Sequence, residues 1–316
     1  MLKLGIPQNK HKINASIARL ELLNKHEMTS PIASNAIPPP SGNSQTLILE
    51  AGRAERHYWA DLWRYRELFA ILAWRDVVVQ YKQTVIGAAW ALVRPLLTMI
   101  IFTVVFGKLA KLPSEGDVPY PVMVMAGMLP WFLFSTILGN ASNSLVSNSN
   151  LIGKVYFPRL IVPVASAVVA LVDFAITLTL LFIMMLVFGV LPDWRILFLP
   201  LFIALAVIAS LGPALILTSL NVKYRDFRYI VPVIVAFGLY ASPIIYETSM
   251  VPERFRLLYS LNPMAGVIEG FRWAILGTGA EVYAAGVAVS LAMQVVLLAS
   301  GVWYFRRVER TFADVI

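Results

Sequence analysis

Six apolar runs constrain this chain more than any other feature, because each is close to the ~20 residues that a helix needs to cross ~30 Å of hydrocarbon. The chain is 59% hydrophobic and 14% charged, whereas a soluble domain is about half apolar and about a quarter charged. Polar residues are too few to cover a surface that faces water. We therefore predict an all-α membrane protein with spans at about residues 87–106, 121–138, 160–189, 196–220, 230–246 and 282–305.

Two segments precede the first span. Residues 1–57 are polar and contain a Pro-rich stretch from Ile37, which predicts a largely disordered cytoplasmic extension, either a dispensable tail or a regulatory or partner-binding arm. Over residues 58–80, apolar residues recur every three or four positions with charged residues opposite. Aromatic and basic residues flank that stripe, which predicts an amphipathic helix in the headgroup plane, or a helix packed on a partner protein. Residues 58–316 then form the transmembrane domain.

The segment between the fifth and sixth runs, residues 247–281, is too polar to span. It contains two short apolar pieces, 255–261 and 264–276, separated by Asn262 and Pro263. Backbone at membrane depth must be shielded by protein or water, so these pieces are predicted to be short re-entrant or interfacial helices.

The net charge is +8, and the positions of the basic residues along the chain fit membrane topology better than a nucleic-acid-binding surface. Lys and Arg concentrate before the first span, in the loops after the second and fourth spans, and after the sixth. All of these share one side of a six-span protein. The positive-inside rule therefore places both termini in the cytoplasm, and no nucleic-acid partner is predicted.

Enzyme chemistry has little support in the sequence. The chain has no cysteine, which excludes disulfides, zinc–thiolate sites and thiol nucleophiles. No GxxxxGK[ST], HExxH or GxSxG string occurs, and the three histidines precede the first span. We predict a non-enzymatic chain with no catalytic, cofactor-binding or metal-binding residue.

Two ionisable residues lie inside apolar runs. An Arg at this depth costs about 2.5–3.5 kcal/mol unless it snorkels, pairs or faces water, so Arg94 either snorkels or lines a substrate path. Asp173 either pairs with a neighbouring helix or faces an aqueous cavity. Aromatic residues such as Trp90, Tyr240 and Tyr246 belong either to interfacial belts or to a pore surface on which sugar rings slide.

Five motifs resemble the type-2 ABC export permeases for polysaccharides and polyol phosphates, which include O-antigen, capsule and teichoic-acid permeases. Their order and spacing match over residues 58–316, with Thr84 where the family pattern has Ser. The motifs are WRYRELFAILAWRDVVVQYKQTVIGAAWALVRPLL from Trp63, NLIGKVYFPRLIVP from Asn150, NVKYRDFRYIVP from Asn221, SPIIY from Ser242 and LNPMAGVIEGFRWAILG from Leu261.

This resemblance implies a homodimer of six-span subunits in the cell inner (cytoplasmic) membrane, surrounded by membrane lipids. Each subunit would dock on a separate ABC ATPase, and that ATPase dimer would bind ATP and Mg. The implied substrate is a polysaccharide linked to polyprenyl diphosphate, such as O-antigen. It would enter between the first and fifth spans and pass along the dimer interface.

The resemblance also implies roles for individual residues. Residues 147–159 would form a coupling helix in the ATPase, and the gate helices would lie within residues 252–277. The ATPase-coupling residues are Asn150, Lys154, Tyr156, Phe157, Arg159, Tyr224, Arg225 and Asp226; the substrate entrance and path residues are Arg75, Lys82, Trp90, Arg94, Tyr240 and Tyr246; and the periplasmic gate residues are Asn262, Pro263 and Arg272.

Three other classes of protein remain open from the sequence. A type-2 ABC permease for a small hydrophobic drug or lipid would share most of these features. A membrane glycosyltransferase or polymerase would carry clustered acids or bases in large external loops. A passive channel would work without an ATPase.

Overall fold

A computed structural model describes residues 58–82, 89–114, 116, 118–277 and 283–312. The predicted extension 1–57, Thr84 and the first residues of the first and sixth predicted spans lie outside the described residues. Within the described residues the secondary structure is helical without a β-strand, which confirms the all-α prediction. The α-helices are α1 (Tyr58–Arg64), α2 (Arg66–Lys82), α3 (Ala89–Phe102), α4 (Tyr120–Ser147), α5 (Ser149–Ile152), α6 (Ile161–Val187), α7 (Leu199–Lys223), α8 (Phe227–Tyr240), α9 (Glu253–Tyr259), α10 (Ala265–Leu276) and α11 (Ala284–Val308).

Five helical segments of the described chain are long and apolar enough to cross a membrane. Three of them extend an α-helix by a turn of another kind: α3 continues as a π-helix, Thr103–Leu109, α7 is preceded by a 3₁₀ turn, Trp194–Phe198, and α11 continues as a 3₁₀ turn, Glu309–Thr311. The chain is thus a multi-pass membrane protein. The five segments are Ala89–Leu109, Tyr120–Ser147, Ile161–Val187, Trp194–Lys223 and Ala284–Thr311.

The fifth predicted span corresponds to α8, which has 14 residues and is therefore about 21 Å long. It begins at Phe227 and ends at Tyr240, not at residue 246. Pro243 accounts for the early end, because proline has no N–H to donate and restricts the residue before it. Whether α8 with the following segment crosses the membrane stays a prediction.

Helix α4 is the centre of the bundle: α3, α6, α7, α8 and α10 all pack against it. It extends to Ser147, past the predicted end at residue 138. The extension carries small polar residues whose side chains form hydrogen bonds with backbone carbonyls of the same helix. Ser142 Oγ and Asn143 Nδ2 both donate to the Gly139 carbonyl, at 3.0 Å each.

Glycines bring α7 and α11 into backbone contact. A Cβ atom built on Gly212 would lie 2.6 Å from the carbonyl carbon of Leu297, and one built on Gly301 would lie 2.3 Å from the Gly212 oxygen. Small residues that allow this approach are typical of helix contacts in membranes, where lipid tails are as apolar as leucine.

A second apolar cluster ties α1 and α2 to the rest of the domain. Leu72 of α2 packs there with Phe157, with Ile161 at the start of α6, and with Phe305 and Phe312 at the end of the chain. The segment predicted as an interface helix is helical, as α1 and α2. One face of it is buried against the rest of the domain.

Candidate functional site

Two loops emerge side by side from the ends of α4 and α7. We call this side of the molecule the basic end, defined by residues 148–160 and 223–226. Asn221, buried in the last turn of α7, donates from Nδ2 to the Ser142 carbonyl (2.9 Å) and to Asn143 Oδ1 (3.0 Å). Because Ser142 and Asn143 lie within two turns of the end of α4, these bonds hold the two loops next to each other.

The first loop has an exposed tip on a buried base. Its only regular turn is the four-residue α5, shorter than the coupling helix expected over residues 147–159. Asn150, Lys154 and Tyr156 are exposed, Tyr156 to 61%, whereas Phe157 is 3% exposed within the second apolar cluster. The tip is therefore free to meet another protein, and Phe157 fixes the tip to its own chain.

Arg159 also belongs to the base of this loop. Its backbone N–H donates to Glu309 Oε1 (2.7 Å), and its guanidinium donates to the Glu309 carbonyl. Tyr58 donates its hydroxyl to Glu309 Oε2 (3.0 Å). Burial, and then the Glu309 carboxylate, raise the pKa of Tyr58, so that its hydroxyl keeps its proton and remains a donor. Arg159 thus connects the loop to both ends of the described chain.

The second loop contains Tyr224, Arg225 and Asp226, and all three side chains are exposed. The Lys223 ammonium lies 5.1 Å from the centre of the Tyr224 ring, a distance that fits a cation–π contact. The structure therefore brings six of the predicted coupling residues to one surface, three from each loop, while Phe157 and Arg159 support that surface from behind.

The first two of the predicted entrance residues lie on α2. Arg75 donates from Nη2 to Asp76 Oδ1 and to Asn148 Oδ1, at 2.7 Å each. It therefore attaches α2 to the basic end. Lys82, the last residue of α2, is exposed.

The path residues on α3, Trp90 and Arg94, are both exposed. The Arg94 guanidinium carbon lies 5.4 Å from the centre of the Phe132 ring of α4. Arg94 therefore has a cation–π partner and still presents its charge on an open surface between α3 and α4.

At the other end of α4, the chain leaves helix α8 and runs without regular hydrogen bonds. We call this side the opposite end, defined by residues 241–277. Arg272 of α10 is 2% exposed and donates to the carbonyls of Ile244 (2.5 Å) and Tyr246 (3.2 Å). The Tyr120 hydroxyl donates to the Ile245 carbonyl (2.9 Å). Three successive carbonyls of non-helical backbone thus have protein partners.

Asn262 and Pro263 form the turn between α9 and α10, where the sequence predicts a break. Asn262 donates from Nδ2 to the Ala241 carbonyl (3.2 Å) and to Ser242 Oγ (2.9 Å). The Pro263 carbonyl accepts from Gln294 Nε2 of α11 (2.8 Å). The turn therefore connects the end of α8 to the last span.

Two tyrosines of the opposite end, Tyr246 and Tyr259, lie close to Tyr240, the last residue of α8. Tyr246 donates its hydroxyl to the Tyr240 carbonyl (3.3 Å) and shares a 3.1 Å hydrogen bond with the Tyr259 hydroxyl. The Tyr240 ring is exposed and the Tyr246 ring is half-buried. Tyr246 is therefore held by hydrogen bonds, whereas the Tyr240 ring is free to contact another molecule.

Two acidic residues outside the predicted sites, Asp173 and Glu309, accept hydrogen bonds from distant parts of the chain. Asp173 accepts from Gln80 and Tyr81 of α2, which confirms the interpretation that it pairs with a neighbouring helix. Glu309 was not foreseen, because it follows the last apolar run among charged residues. Over the described part of the chain, no group of three His, Asp or Glu side chains is placed to hold a metal ion.

Comparisons with known proteins show which family the chain resembles over most of its length. A family model described as ABC-2 type transporter matches residues 67–276. The chain is 28% identical over 261 residues to an O-antigen export system permease protein, RfbA, of Myxococcus xanthus, which covers 81% of this chain and 98% of that protein. It is 27% identical to an RfbA of Klebsiella pneumoniae, over 79% of this chain and 95% of that protein. It is 22% identical to the polysialic acid transport protein KpsM of Escherichia coli, over 64% of this chain and 78% of that protein.

Proposed function

The chain belongs to the ABC-2 type transporter family, and from this premise we propose that it is the membrane subunit of a polysaccharide exporter. The substrate is a polysaccharide on a polyprenyl diphosphate carrier, such as O-antigen, and it crosses the cytoplasmic membrane. The observation that carries the proposal is the match to an O-antigen export permease over 98% of that relative's length.

The proposed energy source is a separate ABC ATPase dimer that binds ATP and Mg. The sequence has no GxxxxGK[ST] string of its own, and the basic end offers an exposed surface on a rigid base. On that surface Tyr156 supplies an aromatic ring of the kind enriched in protein interfaces, and Lys154 supplies a charge that suits the polar rim of an interface. Both termini and the basic end are then cytoplasmic, as the positive-inside rule expects.

The proposed path runs along the exposed faces of α3 and α8, closed by a second copy of the chain. Arg94 is the proposed contact for the carrier diphosphate, since guanidinium groups bind phosphate oxygens through charge-assisted hydrogen bonds. Trp90 and Tyr240 offer aromatic faces to sugar rings. Arg75 is engaged by Asp76 and Asn148, so its proposed role is to hold α2 in place.

Gene deletion, followed by analysis of lipid-linked glycans, tests the proposed substrate. We expect finished polymer to accumulate on its carrier inside the cell and to disappear from the surface. Normal surface polysaccharide, with loss of a drug or lipid efflux activity, would favour a small-molecule permease instead. Carrier lipid without finished polymer would favour a glycosyltransferase or polymerase.

Complementation of the deletion strain tests the docking surface. We expect Tyr156→Ala to reduce co-purification of the ATPase, because the ring lies at the exposed tip. Trp194→Ala is the matched control, with a ring exposed to 59% against 61% for Tyr156, on the 3₁₀ turn that precedes α7. Equal recovery of the ATPase with both variants would contradict docking at this tip.

A further inference from the structure

Asp173 lies near the middle of α6 and holds the last turn of α2. Gln80 donates from Nε2 to both carboxylate oxygens, at 3.2 and 3.0 Å, and the Tyr81 hydroxyl donates to Oδ1. An acidic side chain at membrane depth is costly and persists where it has partners. Here the partners come from the segment that precedes the first span.

The Tyr81 hydroxyl is suited to a lasting contact. Burial, and then its hydrogen bond to Asp173, raise the pKa of Tyr81 above its ordinary value. The hydroxyl therefore keeps its proton and continues to donate to the carboxylate.

The next turn of α6 contacts the start of the first span. Thr177 Oγ lies within hydrogen-bond distance of the Ala91 carbonyl of α3 (3.3 Å) and of the Asp173 carbonyl in its own helix (2.8 Å). Residues 173–177 of α6 therefore contact the end of α2 and the beginning of α3, one on each side of the junction between them.

The same helix α2 is attached to the basic end at two further points. Arg75 donates to Asn148 Oδ1 (2.7 Å), and Tyr65, just before α2, donates its hydroxyl to the Tyr156 carbonyl (3.4 Å). Helix α2 has 17 residues and is about 25 Å long. A rigid helix of this length thus runs from the exposed loop tip to Asp173.

Asp173 also has a neighbour that faces the opposite end. The Phe174 ring packs edge-on against Phe271 of α10, with ring centres 5.8 Å apart. Phe271 adjoins Arg272, which holds the carbonyls of Ile244 and Tyr246. Residues 173–177 of α6 therefore touch α2, α3 and α10.

We propose that Asp173 is a positioning residue for export. It holds the end of α2, so that displacement of the first loop of the basic end, residues 148–160, moves the start of the first span. This inference rests on the proposed function. Without the Asp173 contact, ATP hydrolysis at the basic end continues but its motion is no longer passed to α3.

Two substitutions and their combination test the inference. Asp173→Asn replaces one acceptor oxygen by a donor that opposes Gln80, and Tyr81→Phe removes the hydroxyl alone. The measurement is polymer moved per ATP hydrolysed, in vesicles that contain the chain, its co-purified ATPase and lipid-linked polysaccharide from the deletion strain. We expect each variant to lower this ratio about tenfold, with ATP hydrolysis within about twofold of wild type. In the double variant this ratio should be no lower than in the more impaired single variant, since both substitutions remove the same contact.

Thr179→Val is the matched control on the same helix, because the Thr179 hydroxyl donates to the Ala175 carbonyl of α6 itself (2.9 Å). It should leave the ratio unchanged. A normal ratio in Asp173→Asn would overturn the inference, and so would a parallel loss of ATP hydrolysis and folded complex, which indicates a structural role only. If the wild-type complex hydrolyses ATP without moving polymer, the proposed function fails, and the inference with it.

Discussion

Helices α4 and α3 are both apolar enough to span a membrane, yet they have opposite surroundings. In the most apolar stretch of α4, 83% of the residues are buried within the chain, whereas the figure is 17% for α3 with its π-helical extension. Helix α8 resembles α3, since Val231 is its one buried residue. Hydropathy therefore identifies helices that can leave water, but it does not distinguish a helix that faces protein from one that faces lipid or a partner.

Contacts between helices of the chain use small residues and polar groups. Gly212 of α7 and Gly301 of α11 lie at close contacts, and Arg272 of α10 and Asn221 of α7 are buried donors. The exposed faces of α3 and α8 carry large side chains, among them Trp90 and Phe237. In a membrane, close packing and hydrogen bonds hold helices together, so the α3 and α8 faces remain available to a second copy, a lipid carrier or a polymer.

The largest expected effect contrasts two phenylalanines. Phe271 is buried in contact with Phe174, so Phe271→Ala leaves a cavity and should lower the free energy of unfolding by about 4 kcal/mol. Phe237→Ala, on a side chain 74% exposed on α8, should change it by less than about 0.5 kcal/mol while reducing export. Thermal unfolding in detergent and surface-polysaccharide assays measure the two effects. Equal destabilisation by both variants would contradict the contrast between the buried face of α10 and the exposed face of α8.

A smaller effect is expected where backbones touch. In Gly301→Ala the new methyl group overlaps the Gly212 carbonyl, and because backbone cannot rotate away, we expect a loss of about 3 kcal/mol. Gly139→Ala is the control, since a Cβ there meets open space and alanine favours a helix. Yield of folded protein and unfolding temperature should fall for the first variant only. Equal stability of the two would mean that α7 and α11 are not in backbone contact.

The smallest effect compares two arginines that each bind two carbonyls. Arg272→Met leaves the Ile244 and Tyr246 carbonyls buried without a donor and should cost about 2 kcal/mol. Arg256 donates to the carbonyls of Val251 and Ser249, both at 2.9 Å, but it is only half-buried. Arg256→Met should therefore cost less than about 1 kcal/mol, because water replaces the lost donor. Similar unfolding temperatures for both variants would show that burial of Arg272 does not matter.

The sequence predicted the helical elements better than their ends. Five of the six apolar runs coincide with helical segments that are long and apolar enough to cross a membrane, and Asn262 with Pro263 correctly marked the break between α9 and α10. The end of α4 was placed too early because its last two turns contain Ser and Asn, which hydropathy scores as loop. In the structure Ser142 and Asn143 bond back to the Gly139 carbonyl, so the helix continues.

Individual site residues were harder to predict, because exposure depends on tertiary packing. Tyr156 and Phe157 are adjacent in one motif, yet the first is exposed and the second buried. Arg75 and Arg94 were both predicted to line the substrate entrance and path, but Arg75 is bound to Asp76 and Asn148. Asp173 was noticeable as a lone acid in an apolar run, whereas its partners, Gln80 and Tyr81, precede the first span and gave no signal.

The central claim is that this chain provides the route across the membrane and another polypeptide provides the energy. It is tested most directly in inverted vesicles loaded with lipid-linked polysaccharide on the outer face, with this chain reconstituted alone or with its co-purified ATPase. We predict ATP-dependent movement of polymer into the lumen with both proteins, and neither movement nor ATP hydrolysis with this chain alone. ATP hydrolysis by the purified chain, or polymer movement without the ATPase, would contradict the account.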